Sequence, residues 1–325
     1  MKTNHLTILE YMDSVCSTLK NEERYSAARL CSSVHNSFAR FLEEGKASAS
    51  VRCLDRALLK DYEQWLYSRN LADNTVSSYL RSLRSSYYRM AGEFHFYASH
   101  TLFKNVYTGV SSTCRRSVAK RSVGRVLSGG RLPDNTCLRF TSDMLSLQFL
   151  LCGMAYIDLY HLRKTNLQGN VLTYRRHKTD VEISLIVPAD GMRLLRLYAD
   201  TASGSPYLIA MDRRMDIPVK EGTTAAEQTY ICYQLSLRKY NGDLHRLSEI
   251  LGMGEKLSSY SPRHTWASIA FHSNAPVGAI SRVLGHKSIR TTEFYLEPFG
   301  ENEIDRVNNK IIRLVKDGVK TLEIA

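Results

Sequence analysis

Apolar residues recur at three- and four-residue steps through the first hundred positions, at Leu6, Leu9, Met12, Val15 and Leu19 and again at Leu58, Leu59, Tyr62, Trp65 and Leu66. That period lines one face of a helix and leaves the other polar, so residues 5–95 are expected to form three or four packed helices and no strand. The third should run from about 55 to 68. Leu71-Ala72-Asp73-Asn74-Thr75 then supplies a turn and cap before Val76, Tyr79, Leu80 and Leu83. The helical pattern resumes near Asp143 with Met144, Leu147 and Leu151, and after Gly153-Met154 a second helix should pass through Asp158 to Leu162. From 170 the period changes. Residues 170–178, a turn at Thr179-Asp180, and the alternation of Val181, Ile183, Leu185 and Val187 predict a β-hairpin. Helices are expected over 189–200, 228–240 and 244–251, around Arg263 and Tyr295, and, with one amphipathic face, over 304–315. The pattern therefore predicts a mainly α chain with a small β-sheet.

Composition narrows what such a fold can serve. The 325 residues, 43% hydrophobic and 23% charged, leave room for two domains. Between Phe94 and Pro133 there is no acidic residue but seven basic ones, Lys104, Arg115, Arg116, Lys120, Arg121, Arg125 and Arg131, interspersed with Gly, Ser and Thr. This stretch is the expected linker, and its cations would steepen the salt dependence of binding to a polyanion. Forty-four Lys and Arg against 32 Asp and Glu, a formal charge of +12, favour nucleic acid over a membrane surface as partner. Seven scattered cysteines without a C-x-x-C pair argue for reduced thiols rather than a disulfide framework or zinc site. No apolar run reaches 18 residues and Met1-Lys2-Thr3-Asn4-His5 carries no apolar signal core, so a soluble protein inside the cell is expected.

The candidate chemistry is concentrated near the C-terminus. Tyr260-Ser-Pro-Arg263-His264-Thr265 is followed by Leu284-Gly285-His286-Lys-Ser288 and by Tyr295, so that Arg263, His286 and Tyr295 stand 23 and 9 residues apart. A phenol with pKa near 10 needs help to act as a nucleophile, and attack on phosphorus builds negative charge that preorganised cations offset. An arginine fork can hold two phosphate oxygens, and nearby histidines can donate or carry protons. In the hairpin, alternation predicts that Arg176 and Lys178 share a face opposite Arg175 and His177. His264, His272 and His286 lack zinc-like spacing, and no Walker loop or G-x-G-x-x-G is present.

These segments resemble the catalytic half of the tyrosine recombinases, or phage-integrase family, whose pattern H-x-x-R-H-[ST], L-G-H-x-S and Y is matched at four of five marked positions; Tyr260 stands where the first histidine usually sits. Residues 70–84 likewise resemble that family's core-binding domain. The resemblance implies an N-terminal helical SAM-like core-binding domain over 1–100, a basic linker over 101–135, a C-terminal α+β DNA breaking-rejoining catalytic domain over 136–300, and a protomer-contacting tail over 301–325. It implies Tyr295 as nucleophile, Arg263, His264 and His286 as catalytic, and Lys178 as general acid; Tyr260, in the place of the histidine, can still hydrogen-bond phosphate or Lys178 but cannot carry a full positive charge. Ser77, Arg81 and Arg84 would meet the DNA backbone, joined by Arg115, Arg116, Lys120, Arg121 and Arg125. Asp158 would brace Arg263 or His264.

One position departs. Where the family carries Gly-Leu-Arg, this chain has Gly153-Met154-Ala155, and alanine cannot donate to phosphate. Arg176 is the candidate substitute, with Arg163 second. The resemblance further implies strand exchange without cofactor, metal or ATP, on double-stranded DNA with specific recombination sites, by a homo-tetramer in the bacterial cytoplasm at the nucleoid. The details look like a Bacteroidetes branch of the family. A degenerate DNA-binding accessory protein and a type IB topoisomerase-like enzyme are the alternatives, and the target sequence is not readable from the chain.

Overall fold

The computed structural model describes residues 7–46, 48–111, 124, 126, 136–218, 224–293 and 312. They divide into two compact units, one drawn from 1–113 and 219–231, the other from 114–218 and 232–325.

The first unit is helical. Helix α1, Ile8–Asn21, starts on a capping box in which Thr7 Oγ1 accepts from Glu10 N and Glu10 Oε2 accepts from Thr7 N. Helices α2, Tyr25–Glu44, α3, Arg56–Ser68, and α4, Asp73–Phe94, follow, with Asp55 capping α3 through Leu58 N at 2.8 Å. Their apolar stripes meet in one core that includes Met12, Phe38, Tyr62, Leu80 and Met90. The packed unit continues past residue 100, for Leu102, Phe103 and Val106 join this core. Glu63 accepts from Tyr107 N at 2.6 Å, and Asn74 exchanges two 3.0 Å bonds with the backbone of Ser111. Residues 101–111 are thus tied to the helices rather than serving as linker.

This tie also corrects the expectation for Ser77. Its side chain is 0% exposed and its hydroxyl donates to Gly109 O at 2.5 Å, so it is a structural anchor and not a backbone-contacting group. Arg81 is exposed and Arg84 half-buried on the same helix. Arg115, Arg116, Lys120, Arg121 and Arg125 lie outside the described residues.

The second unit wraps helices around a small sheet. Helix α5, Thr136–Leu150, is followed by the short α6, Tyr156–Tyr160. Strands β1, Leu167–Gln168, β2, Val171–Arg175, and β3, Glu182–Ile186, pair antiparallel in that order, with Arg175 opposite Glu182. The hairpin stands as the alternation predicts, with β1 added at its edge. Helices α7, Ala189–Leu197, α8, Met211–Arg214, α9, Ala225–Ile250, which belongs to this unit from Cys232 onward, α10, Ser261–His272, α11, Val277–Val283, and α12, Ile289–Glu293, complete the described part.

Two helices expected over 228–240 and 244–251 are one. Asn241 and Gly242 look like a break, but Asn241 Nδ2 donates to Leu237 O at 2.9 Å while its Oδ1 accepts from Ser259 N at 2.9 Å. With its side chain occupied in this way, it does not interrupt the backbone ladder. Among the described residues no helix is long and apolar enough to cross a membrane. The stretch over 304–315 lies outside them except for Ile312.

Gln148, buried among the leucines of α5, joins three of these pieces. Its Nε2 donates to Met154 O at 2.9 Å and Ser259 O at 3.2 Å, and its Oε1 accepts from Tyr240 at 2.8 Å. The loop after α5 and the loop before α10 are thereby held side by side. Gly153 makes the approach possible. It sits at φ +72°, and a Cβ there would lie 2.8 Å from Arg263 Cα, a backbone atom that cannot swing aside. Gly153→Ala should therefore lower the melting temperature by several degrees, since the left-handed backbone alone costs about 1–2 kcal/mol. An unchanged thermal melt would disprove the close approach.

Candidate active site

Arg263 occupies the first turn of α10, where Tyr260 is the N-cap and Pro262 presets the backbone. A cation here opposes the helix macrodipole, so its position must be justified by what its side chain reaches. It reaches the opposite kind of helix end. The guanidinium is 2% exposed; Nη1 donates to Gly153 O at 3.1 Å and Nη2 donates to Leu284 O, the C-cap carbonyl of α11. Nη2 also lies 3.1 Å from His286 Nε2.

Arg176 arrives at the same carbonyl from the sheet. Leu172 and Tyr174 face inward along β2, and Arg176, the next step of that alternation, is 5% exposed. Its Nη1 donates to Leu284 O at 2.7 Å and Gly285 O at 3.0 Å, while Nη2 makes no hydrogen bond among the described residues. Gly285, at φ +63°, leaves the space, because a Cβ there would fall 2.9 Å from Arg176 Cδ and 2.8 Å from Ile183 Cδ1. Two guanidiniums, distant in sequence, are thus gathered on the buried carbonyls that end α11, which the helix itself leaves without a partner.

The state of His286 follows from its neighbours. A guanidinium only donates, so Nε2 must accept, which puts the ring proton on Nδ1, where it donates to Thr292 Oγ1 at 2.8 Å. The ring is neutral. Burial, then the charges of Arg263, Arg176 and Lys178, push its pKa down to about 3. Burial likewise lowers His161 to about 4, with His177 and Arg163 adding to it. Both folded values lie below the ordinary 6.5, so the unfolded chain binds protons first. Stability present above pH 6.5 should therefore fall as pH drops towards 3. Melting temperatures recorded over pH 7.5 to 4 test this, and His286→Asn should flatten the slope; an equal slope in the variant would contradict the assignment.

Asp158, 4% exposed at the start of α6, faces this cluster. Its Oδ1 accepts from His177 N at 2.8 Å and its Oδ2 lies 4.0 Å from Arg176 Nε. Burial pushes its pKa above the ordinary carboxylate value against the pull of the His177 N–H and of Arg176 and Arg263. One carboxylate therefore stands beside two buried guanidiniums and the exposed Lys178, and the pocket keeps an excess of positive charge. Its bracing partner is Arg176, together with the hairpin turn, rather than Arg263 or His264 by hydrogen bond.

Lys178 departs from the expected geometry. Arg176 N bonds Val181 O at 2.9 Å and the turn occupies 177–180, with Asp180 at φ +57°, so pleating ends at Arg176. Arg176 turns into the protein while Lys178 is exposed on the turn, and the two do not share a face. Thr179 anchors that turn, its hydroxyl donating to Gly285 O at 2.8 Å.

Tyr260, 38% exposed, and the half-buried His264 lie together at the start of α10 with rings 6.3 Å apart. Ala155 is buried at the N-cap of α6 and offers no side-chain donor. Arg163 is exposed and bridges to Tyr207. Tyr295 lies outside the described residues, which end at Glu293 in this segment. Sequence reasoning missed Gln148, Thr179 and Thr292. A lone Gln inside an apolar helical run was the one visible signal, since buried polar groups need partners.

The model of the phage integrase SAM-like domain matches residues 7–93, and that of the phage integrase family matches residues 144–301. Tyrosine recombinase XerC of Rickettsia bellii (strain OSU 85-389) is 39% identical over 56 residues, 17% of this chain and 18% of the relative. XerC of Rickettsia prowazekii (strain Madrid E) is 38% identical over 58 residues, 18% of this chain and 19% of that one. The matched stretch spans about a fifth of these curated relatives. Among solved structures, the Tn1549 transposon integrase in complex with a circular intermediate DNA covers 94% of this chain and 100% of its own, at 13% identity and TM-score 0.62. A lambda integrase dimer bound to a COC′ core site covers 90% and 78%, at 12% identity and TM-score 0.58. At such identities the likeness is one of fold.

Proposed function

Because the chain belongs to the phage integrase family, whose two domain models match residues 7–93 and 144–301, we propose that it is a tyrosine site-specific recombinase. It breaks and rejoins DNA through a 3′-phosphotyrosyl link. The observation that carries this reading is the pair of buried guanidiniums, Arg263 and Arg176, gathered with neutral His286 on the end of α11, with one carboxylate beside Arg176. Buried positive charge in excess is stabilised by an anion, and a phosphodiester supplies one.

The phenol of Tyr295 gives up its proton to His264 as its oxygen attacks phosphorus, the bond to O5′ breaks, and the leaving oxygen takes a proton from Lys178. Arg263 and Arg176 hold the non-bridging oxygens, the second through its unoccupied Nη2, and so stand for the arginine that Ala155 does not provide. A phosphate at this site would raise the pKa of His286, which then donates to it with His264 and Tyr260. Asp158 is a positioning residue for Arg176 and the hairpin turn. The reaction exchanges one phosphoester for another, and attack by a 5′-hydroxyl returns the tyrosine, so neither ATP nor a metal is needed in principle.

Arg81, Arg84 and the cationic stretch containing Arg115, Arg116, Lys120, Arg121 and Arg125 contact the DNA backbone, adding affinity more than sequence preference. The linker of the two-domain arrangement begins after 111, the catalytic domain runs to about 300, and the segment beyond it meets a neighbouring protomer. Four protomers act on two sites in the bacterial cytoplasm, at the nucleoid; a lambda integrase tetramer bound to a Holliday junction, similar in fold, supports that number. One observation favours a second reading: Ala155 leaves the site one donor short, as in an accessory protein that only binds DNA.

The test is to incubate the protein with nicked duplexes taken from inverted repeats beside its gene and to resolve the products under denaturing conditions. A covalent protein–DNA adduct together with joints between two distinct sites supports the recombinase. Binding without adduct selects the accessory protein, and adduct with relaxation but no joints selects a type IB topoisomerase.

A further inference from the structure

The turn that carries Lys178 is held on one side by Thr179 on Gly285 and from below by the His177 N–H on Asp158. Arg175 also spans it, donating to Asp180 O at 3.2 Å, and its remaining side is covered by rings. There the His177 ring stacks on the His161 ring, with centroids 5.2 Å apart and planes 29° apart. His161 is itself set in an aromatic frame: Tyr160 meets it edge-on at 4.9 Å and Tyr233 lies tilted at 5.7 Å. That frame is pinned, for the Tyr160 hydroxyl donates to both oxygens of Asp212, at 2.7 and 2.8 Å. His161 takes no part in the phosphate chemistry described above. It nonetheless turns a rigid wall of the domain into a flat surface on which the turn rests.

We infer that His161 is a positioning residue for the general acid, fixing the turn through its stack on His177 so that the ammonium of Lys178 meets the leaving oxygen. The inference rests on the assignment of Lys178 as that acid. Flat rings limit sliding and tilting of the partner ring in a way that an aliphatic side chain of equal volume does not. Lys178 stands on the residue next to His177, so any tilt of that ring is passed to the lysine through one backbone step. Proton donation falls off steeply with misplacement, so a small loss of order should slow one chemical step and leave the others alone.

The experiment compares single-turnover cleavage of the duplex that forms the adduct with that of the same duplex bearing sulfur in place of the bridging O5′. Tyr295 oxygen bonds to phosphorus in both. In the oxygen substrate the departing alkoxide needs a proton, whereas the sulfur leaves as a stable thiolate without one. His161→Ala and His161→Leu should cleave the oxygen substrate about tenfold to a hundredfold more slowly, a share of the roughly 10²–10⁴ a general acid provides. Both should recover to near the parent rate on the sulfur substrate. His161→Phe, which keeps a ring face, should remain close to the parent on both. Lys178→Ala serves as the reference, slow on oxygen and restored on sulfur.

Equal slowing of the His161 variants on both substrates, or no slowing on either, overturns the inference while Lys178→Ala stays restored by sulfur. If Lys178→Ala is not restored, the acid assignment itself fails and His161 loses its proposed object. Should His161→Ala not fold, His161→Leu and His161→Phe carry the comparison, because both fill the space the ring leaves.

Discussion

Tyr295→Phe is expected to bind DNA as the parent does and to form no covalent adduct with it. The substitution removes one oxygen and keeps the ring, so packing and charge are preserved. That oxygen is the only atom of the side chain able to bond to phosphorus, and without it the first step has no route. The loss should therefore reach the detection limit, unlike the graded losses that follow removal of a stabilising group. A labelled nicked duplex resolved under denaturing conditions reads this directly, with binding measured in parallel. The chain has 19 tyrosines, and the exposed Tyr260 lies beside His264. An adduct persisting in Tyr295→Phe but lost in Tyr260→Phe would move the nucleophile to Tyr260 and end the assignment made here.

Arg263→Ala should be almost as severe, for two separable reasons. Removing one preorganised donor from a developing phosphorane charge typically costs about two to three decades in rate. The same side chain also closes the fold, since Gly153 O and His286 Nε2 lose their donor, at about 1–3 kcal/mol for each buried group left unsatisfied. Leu284 O keeps the 2.7 Å bond from Arg176 and is not orphaned. Part of the destabilisation is offset because two like charges no longer crowd one pocket. Arg263→Lys separates the two roles. A single ammonium keeps the charge but cannot span Gly153, Leu284 and His286 at once, so DNA binding should persist while cleavage falls. A folded Arg263→Ala protein cleaving within tenfold of the parent would remove Arg263 from the chemistry.

Much of this molecule could be read along the chain where the relevant physics is local. Helical periodicity located α1, α3 and α4 because each buries one stripe, and alternation located β2 and β3 because the sheet buries one face. Arg263, His286 and Tyr295 stood out as a candidate set because phosphate attack calls for residue types that are unusual in combination. The expectations that failed concern side-chain partners. Ser77 looked like an exposed helix residue, but its neighbour, Gly109, is 32 positions away. Lys178 looked like the companion of Arg176 until the backbone left the pleat at His177, and Asn241 looked like a break until Ser259 and Leu237 engaged its side chain.

The sequence by itself determined which residues could bury themselves and which could carry charge, and therefore that helices, a hairpin and a candidate set of cationic and phenolic side chains would be present. Only the tertiary structure decided that the carbonyl of Leu284 is where two arginines meet, that His286 is neutral between Arg263 and Thr292, and that Asp158 supports the hairpin turn. The physical reason is range. Burial periodicity and backbone propensity act within a few residues, whereas hydrogen-bond geometry, desolvation and the field of neighbouring charges depend on atoms that come together only when separate segments are packed, Asp158 with His177 19 positions on and Arg176 with Leu284 108 positions on.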